Sequence, residues 1–444
     1  MIRIKKLLYS ITAFLTLTNL FVMLSAAPGL SLTLIGAGMI IGMVYFLFLE
    51  RVTLVRVLST VEAKWVIGLV LVWPFLHFIL SFVNGYVLKR ELILQVFYVI
   101  LALSTMVYVL RYGFYSFRKI TLLAFWTSAF GVLLNVYSPS IFYQLSLLNA
   151  DSWGDVVAYG RAGGFFLNPN NAARFMILMF IFVVMAPKKF GLFKFGILSS
   201  ALLVCVLLTG SRSSMLICGM VISLVIILRF AVSRQGEGLH LNLPKFVLSL
   251  LSLQVISIFA IIGVVKGTEF ILDNTQAGAR IGSASRYDMF SNGFDEFVNI
   301  FIEEGRGRLE TTEPYLGKFK GSFYIGNGMA GARIFKAVNQ IELLPHNTFF
   351  LIAFDYSVFY LILTLIGLLF YCLGSRIRIA EFNTGILFSP IFIAVFIAVG
   401  FTYDALFNNR AIYVIIGALL CIRAFPETIA SYGARPAKSN MHAR

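Results

Sequence analysis

The sequence predicts an all-α polytopic membrane protein, and three observations carry that prediction. Of 444 residues, 59% are hydrophobic and only 13% are charged, with a mean hydropathy of +0.89. Apolar runs of about 20 residues recur along the chain, the length at which a helix crosses a bilayer. The basic residues fall in small groups between alternate runs, as orientation signals do. Inside hydrocarbon every backbone polar group must find a partner in its own segment, so these runs are expected as helices. The short alternating segments of a membrane β-barrel do not appear. The net charge of +16 therefore reads as loop charge that sets orientation. A nucleic-acid surface would gather the charge into one patch.

About twelve spans are expected, near residues 7–26, 30–49, 65–83, 92–110, 120–137, 170–186, 195–209, 213–229, 246–265, 348–372, 384–402 and 410–425. The first opens on "MIRIKK" and closes near Ala26 and Ala27, which imitates a signal peptide. Its apolar core is long and a second run follows at once, so a retained helix is expected. Arg3, Lys5 and Lys6 precede span one, and Arg51, Arg56 and Lys64 follow span two. Arg111, Arg118 and Lys119 follow span four, and Lys188, Lys189 and Lys194 follow span six. Arg229, Arg234 and Lys245 flank the gap after span eight, and Arg376 and Arg378 follow span ten. Every even-numbered gap is basic, which places both termini in the cytoplasm.

The odd-numbered gaps then face outward. Residues 1–265 hold nine spans and an outer loop at 138–169. Residues 266–345 form an outer loop domain, residues 346–425 hold the last three spans, and 426–444 form a cytoplasmic tail. The outer loop domain carries half of the chain's acids. Within it Tyr287, Phe290, Phe294, Phe297 and Phe301 recur at helical spacing, which predicts an amphipathic helix lying on the membrane face. No internal repeat of the kind that builds inverted-repeat transporters stands out.

Polar chemistry gathers at the outer ends of the spans. In "YGRAGGFFLNPNNAARF" Asn168 and Pro169 suit the cap and first turn of span six, with Asn170 beside them. Arg161 lies just upstream next to Gly163 and Gly164, and Arg174 lies in the first turns. A helix N-terminus with arginines beside it suits an anion. Arginines reaching toward the membrane interface would look the same in sequence. "LLTGSRSSM" puts Arg212 at the turn between spans seven and eight, as an anion ligand or a plain turn residue. "GSASRYDMF" puts Arg286 at the start of the amphipathic helix. Arg161, Arg212 and Arg286 converging on one anion would suit a diphosphate, whose oxygens match guanidinium forks.

"LLPHNTFFLIAFD" opens span ten. His346 is the one histidine expected on the outer face, where a neutral imidazole accepts a proton near neutral pH. Asn347 would orient it or bind a sugar hydroxyl. In "TYDALFNNR" Asp404 and Arg410 either pair with each other or serve the site, Asp404 by orienting His346. "YIGNGMAG" resembles a glycine-rich phosphate loop only weakly and does not lie between a strand and a helix. His77 reads as a packed polar residue within span three. Cys205, Cys218, Cys372 and Cys421 all lie in apolar runs and read as buried, unpaired thiols. No His, Cys, Asp and Glu cluster suggests a metal.

Taken in order, "GRAGGFFLNPNNAA", "LTGSRSSML", Arg286 before the amphipathic helix, "IGNGMAG" and "PHNTFFLIAFD" resemble the bacterial O-antigen polymerase and O-antigen ligase superfamily, mainly over residues 155–360. The resemblance implies a C-superfamily-like glycosyltransferase fold in the inner membrane with a periplasmic active site. It implies a donor glycan on undecaprenyl diphosphate, with no metal and no nucleotide sugar. It also implies diphosphate binding by Arg161, Arg212 and Arg286, with His346 activating the acceptor hydroxyl. A chain-length regulator and a flippase are the partners it suggests, alongside membrane lipid. Ligase-like members often continue with Glu-x-Gly after the His-Asn pair, and this chain reads Asp355, Tyr356, Ser357. The expected function is a polymerase of lipid-linked repeats. The alternatives are a ligase onto lipid A core and a flippase or other transporter of the same glycan.

Overall fold

The computed structural model describes residues 2–24, 32–83, 85–86, 89–148, 161–184, 192–230, 232–235, 238–241, 310–341, 344–345, 347–373, 399, 409–425 and 428. These residues are predominantly helical. Span nine, span eleven and the amphipathic helix at 287–301 lie outside them. Among the described residues three helical segments are long and apolar enough to cross a membrane, or four if one bent pair counts as a single span. Shorter apolar helices of 10–17 residues lie within the stretches of further expected spans.

The first expected span is two helices, α1 (Ile2–Thr18) and α2 (Leu20–Leu24), broken at Asn19 with φ 59°. Next come α3 (Leu32–Leu49) and α4 (Arg51–Leu58), bent by 90° at the break between them. Thr60 accepts from the Ala63 amide and caps α5 (Val61–Ile67). A π-helical stretch at Gly68–Val72 then joins it to α6 (Trp73–Val83). The long helices α7 (Lys89–Tyr112) and α8 (Phe114–Tyr137) meet at Gly113, whose φ of 81° a side chain would resist. A short α9 (Pro139–Leu148) follows.

Helix α10 (Pro169–Val184) is the centre of the molecule. Every residue from Ala172 to Val184 is buried, Arg174 among them, so this helix faces protein on all sides. It packs against α8, α11 (Leu192–Leu208) and α12 (Arg212–Phe230). The basic gap after span eight holds a two-stranded antiparallel hairpin, β1 (Val232–Gln235) with β2 (Gly238–Leu241), in the register Ser233 to His240. The hairpin adds eight residues of strand in a loop and leaves the fold class predominantly helical. Apolar periodicity carried no trace of the hairpin in so short a segment.

The C-terminal half holds α13 (Glu313–Ser322), α14 (Gly331–Val338), α15 (Thr348–Tyr356), α16 (Val358–Leu373) and α17 (Arg410–Ala424). Span ten was expected as one helix and is broken at Ser357. A satellite core of Tyr315, Ala332 and Phe354, flanked by Phe319, Phe335 and Phe350, joins α13 and α14 to α15. Burial, with the nearby Asp355 carboxylate adding to it, pushes the Tyr315 phenol up to about 12. It therefore remains a neutral hydroxyl at physiological pH.

The two ends of the bundle are closed by different contacts. At the end expected to face inward, buried Glu50 meets Lys5 Nζ at 3.1 Å, Arg111 Nε at 3.7 Å and the Tyr112 hydroxyl at 3.2 Å. Arg423 pairs there with Glu62 at 3.2 Å, and Arg118 donates to the Val183 carbonyl that ends α10 at 2.9 Å. At the opposite end, contacts join the segments expected to face outward.

Candidate functional site at the outer end

The segment from Ala162 to Leu167 folds into the bundle as a buried loop. Asn135, 1% exposed on α8, accepts from both Gly163 N–H (2.9 Å) and Gly164 N–H (3.0 Å). The Ala162 amide donates to Leu208 O, and Asn19 donates to Phe165 O. A Cβ on Gly164 would sit 2.7 Å from the Val132 amide nitrogen, so no side chain fits that position.

Arg161 is the clasp of this loop. Its Nε donates to Thr209 O at 2.8 Å, and one terminal nitrogen donates to Asn170 Oδ1 at 2.6 Å. Asn168 Oδ1 accepts from the Asn170 and Asn171 amides, so it caps α10 as its sequence position predicts, with Pro169 in the first turn. Arg174 is 3% exposed within the same helix. Arg212 begins α12, and its side chain lies outside the described residues together with Arg286, His346 and Asp404. Asn347 caps α15, accepting from the Phe349 and Phe350 amides at 3.0 Å each.

The glycine-rich segment "IGNGMAG" is an anchor. Gly326 and Gly328 take φ of 81° and 91°. The Asn327 and Gly328 amides donate to Phe354 O and Asp355 O, and the Met329 amide donates to His77 O. A Cβ on Gly328 would lie 2.4 Å from Ser81 Oγ. The start of α14 is taken by a side chain of the protein itself, since Ala332 N–H donates to Asp355 Oδ1 at 2.7 Å. His77 packs as expected, with its ring nitrogens 3.1 Å from Trp73 O and 2.9 Å from Ile325 O.

Between these segments lies a cavity of about 250 Å³. It opens where the end of α1, the starts of α7 and α17, α14 and the end of α15 meet. Arg90, Arg333 and Arg410 line it, with the carboxylates Glu91 and Asp355. Tyr98, Gln95, Asn19 and Asn409 complete its polar wall. Arg410 is stacked on Phe21 with its guanidinium carbon 4.5 Å from the ring centroid. Tyr98 is stacked on Tyr413 at 4.4 Å with the rings 8° from parallel. Asn409 Oδ1 accepts from the Ala411 amide and caps α17, which fixes where Arg410 leaves the helix.

Of the residues singled out in sequence, Arg410 lines this cavity, Arg161 and Asn168 belong to the loop beside it, and Asn170 lies in the first turn of α10. Asn19 connects the two, since it lines the cavity and donates to Phe165 O. Arg90 and Arg333 were not anticipated. Among the described residues no group of three His, Cys, Asp or Glu side chains could hold a metal ion. Comparison with known proteins finds no matching family model, no matching curated protein and no matching solved structure.

Proposed function

We propose that the chain is a polymerase of lipid-linked oligosaccharide repeats. It would be a metal-independent glycosyltransferase that moves a growing glycan from undecaprenyl diphosphate onto the non-reducing end of an incoming repeat unit. The reading includes twelve spans, the C-superfamily-like glycosyltransferase fold and a site facing the periplasm. The observation that carries it is the polar cavity at the end of the bundle expected to face outward, which Asn19 joins to the buried loop that Arg161 clasps. A transporter of the same glycan needs polar groups along the bilayer midplane, and here the ion pairs and the arginine-lined cavity lie at the two ends of the bundle.

The chemistry is modest. A glycosyl diphosphate already carries its leaving group, so the enzyme has to stabilise the departing negative charge and take one proton from the acceptor hydroxyl. Arg161, Arg212 and Arg286 are the proposed diphosphate ligands and His346 the proposed base, with Asp404 orienting it and Asn347 at its side. In this arrangement Arg161 has a second role, because its Nε and one terminal nitrogen already bind Thr209 and Asn170.

The ligase is the second reading, and Ser357 departs from it in its side chain. This is the residue that departs from the Glu-x-Gly continuation, and it holds a backbone conformation that glycine favours. The departure is therefore one of side chain and not of backbone.

Purified chain supplied with lipid-linked repeats and no lipid A core is expected to lengthen them. His346→Ala is expected to slow that transfer by about a hundredfold or more, the typical contribution of a general base. Joining of repeats to core alone would replace the polymerase with the ligase. In cells lacking the protein, the polymerase reading expects a single repeat on the final acceptor and no ladder of longer chains.

A further inference from the structure

We propose that the cavity between α1, α7, α14, α15 and α17 receives a sugar residue bearing one carboxylate, a hexuronate of the glycan. The sugar part of this inference rests on the function proposed above. The preference for a single negative charge rests on the cavity alone.

Three cations line the cavity, and they come from three separate elements. Arg90 opens α7, Arg333 lies on α14 and Arg410 opens α17. All three lie within electrostatic reach of the Tyr98 hydroxyl. The ion pairs of Lys5, Arg111 and Arg423 with Glu50 and Glu62 involve none of these three arginines. Arg410 is held by its ring contact with Phe21, with the guanidinium carbon 4.5 Å from the ring centroid.

The two carboxylates decide the charge of the ligand. Glu91 and Asp355 share the wall with the three cations, so a ligand with a single negative charge meets the arginines with the least repulsion from the acids. A diphosphate would bring more negative charge up against both acids. Asp355 is fixed there by the Ala332 amide at 2.7 Å, so it does not swing away. Sugar hydroxyls, in contrast, need acceptors as well as donors, and Glu91, Asn19 and Gln95 supply them. Size agrees. About 250 Å³ is below the roughly 300–1,000 Å³ of pockets that enclose drug-sized ligands, so the cavity suits one ring and not a chain. An arginine fork on the carboxylate would then fix the ring's orientation.

Full-length protein in lipid nanodiscs should be titrated with glucuronate, with glucose as its neutral counterpart, and with pyrophosphate. Glucuronate is expected to bind, and glucose at equal concentration is not. Arg333→Gln and Arg410→Gln are expected to weaken glucuronate binding by about tenfold or more, the loss of one charge-assisted bond. Arg333 is exposed, so its replacement leaves the packing of α14 in place, and Arg333→Lys should recover part of the binding by restoring charge without the fork. Equal binding of glucose, unchanged binding in both glutamine variants, or pyrophosphate displacing glucuronate more tightly would each overturn the proposal. A normal glycan ladder in cells lacking the protein removes the polymerase reading and leaves the binding result standing. Loss of the ladder without glucuronate selectivity removes only this inference.

Discussion

Ser357 sits at φ 93° and ψ 159°, buried to 1% exposure, between α15 and α16. That region of backbone space is almost confined to glycine, and a side chain there costs about 1–3 kcal/mol. The surroundings enforce it. Gly326 approaches so closely that an added Cβ would lie 2.7 Å from the Ser357 amide nitrogen, and Trp73 Nε1 donates to Tyr356 O at 3.2 Å. In return Ser357 Oγ accepts from the Tyr360 amide at 3.3 Å, a long bond that offsets little. Ser357→Gly is therefore expected to raise stability by about 1 kcal/mol, and Ser357→Val to lower it by more. Thermal unfolding in detergent reads both, and a destabilised glycine variant would mean that the hydroxyl outweighs the strain. The sequence marked Ser357 as a departure, but a backbone angle cannot be read from a residue name. Arg161 shows the same limit. Its place beside Gly163 and Gly164 was legible, yet a guanidinium binds a carbonyl and a phosphate by the same geometry. The carbonyl that takes it belongs to Thr209, 48 residues away. Arg90 left one usable signal. Together with Lys89 it puts basic charge into a gap that the charge rule assigns to the outer side.

Among elements, the closest approach that matters for the cavity is between α7 and α17, which carry Arg90 and Arg410. Gly417 makes it possible. A Cβ there would lie 2.4 Å from Ala102 O and 2.9 Å from Thr105 Cβ, so the two backbones touch through a missing side chain. Small residues at such crossings bring helices together where lipid supplies no hydrophobic drive. Tyr98 stacks on Tyr413 one turn further along, and Tyr9 donates to Thr105 Oγ1 at 2.7 Å. Gly417→Val is expected to force the helices apart, with a loss of about 1–3 kcal/mol from overpacking. It should weaken any ligand of the cavity without touching a lining residue. Parent-like melting and ligand binding in that variant would show that the crossing tolerates a side chain. The helices themselves were legible because caps and apolar runs are local. Asn168 before Pro169 marked the start of α10 correctly. The breaks at Asn19 and Ser357 were not legible, since the apolar run continues through both and neither is a glycine or a proline.

At the scale of the whole molecule, the two ends differ in the chemistry that closes them. Lysine and arginine meet Glu50 and Glu62 at one end, while asparagine caps and glycine turns meet the arginine-lined cavity at the other. The charge rule assigns the first end to the cytoplasm, because the gaps after spans two and four and the end of span twelve are basic and meet there. The second end gathers the close of α1, the starts of α7, α10, α15 and α17, and the segment 310–341. These are the pieces that alternate spanning would deliver to one side, and hydrogen bonds such as Asn19 to Phe165 O and Met329 N–H to His77 O join them. Reporter fusions test the assignment directly. Alkaline phosphatase joined after Val338 is expected to be active, since the enzyme matures only outside the cytoplasm, and fusions after Lys119 or Lys194 are expected to be inactive. The pattern matters more than any single fusion, because inverting the molecule reverses all three. Activity at Lys194 or at the C-terminus would put the cavity on the cytoplasmic side. A lipid-linked glycan already carried across the membrane could not then be its substrate, and the proposed polymerase would fall with the topology.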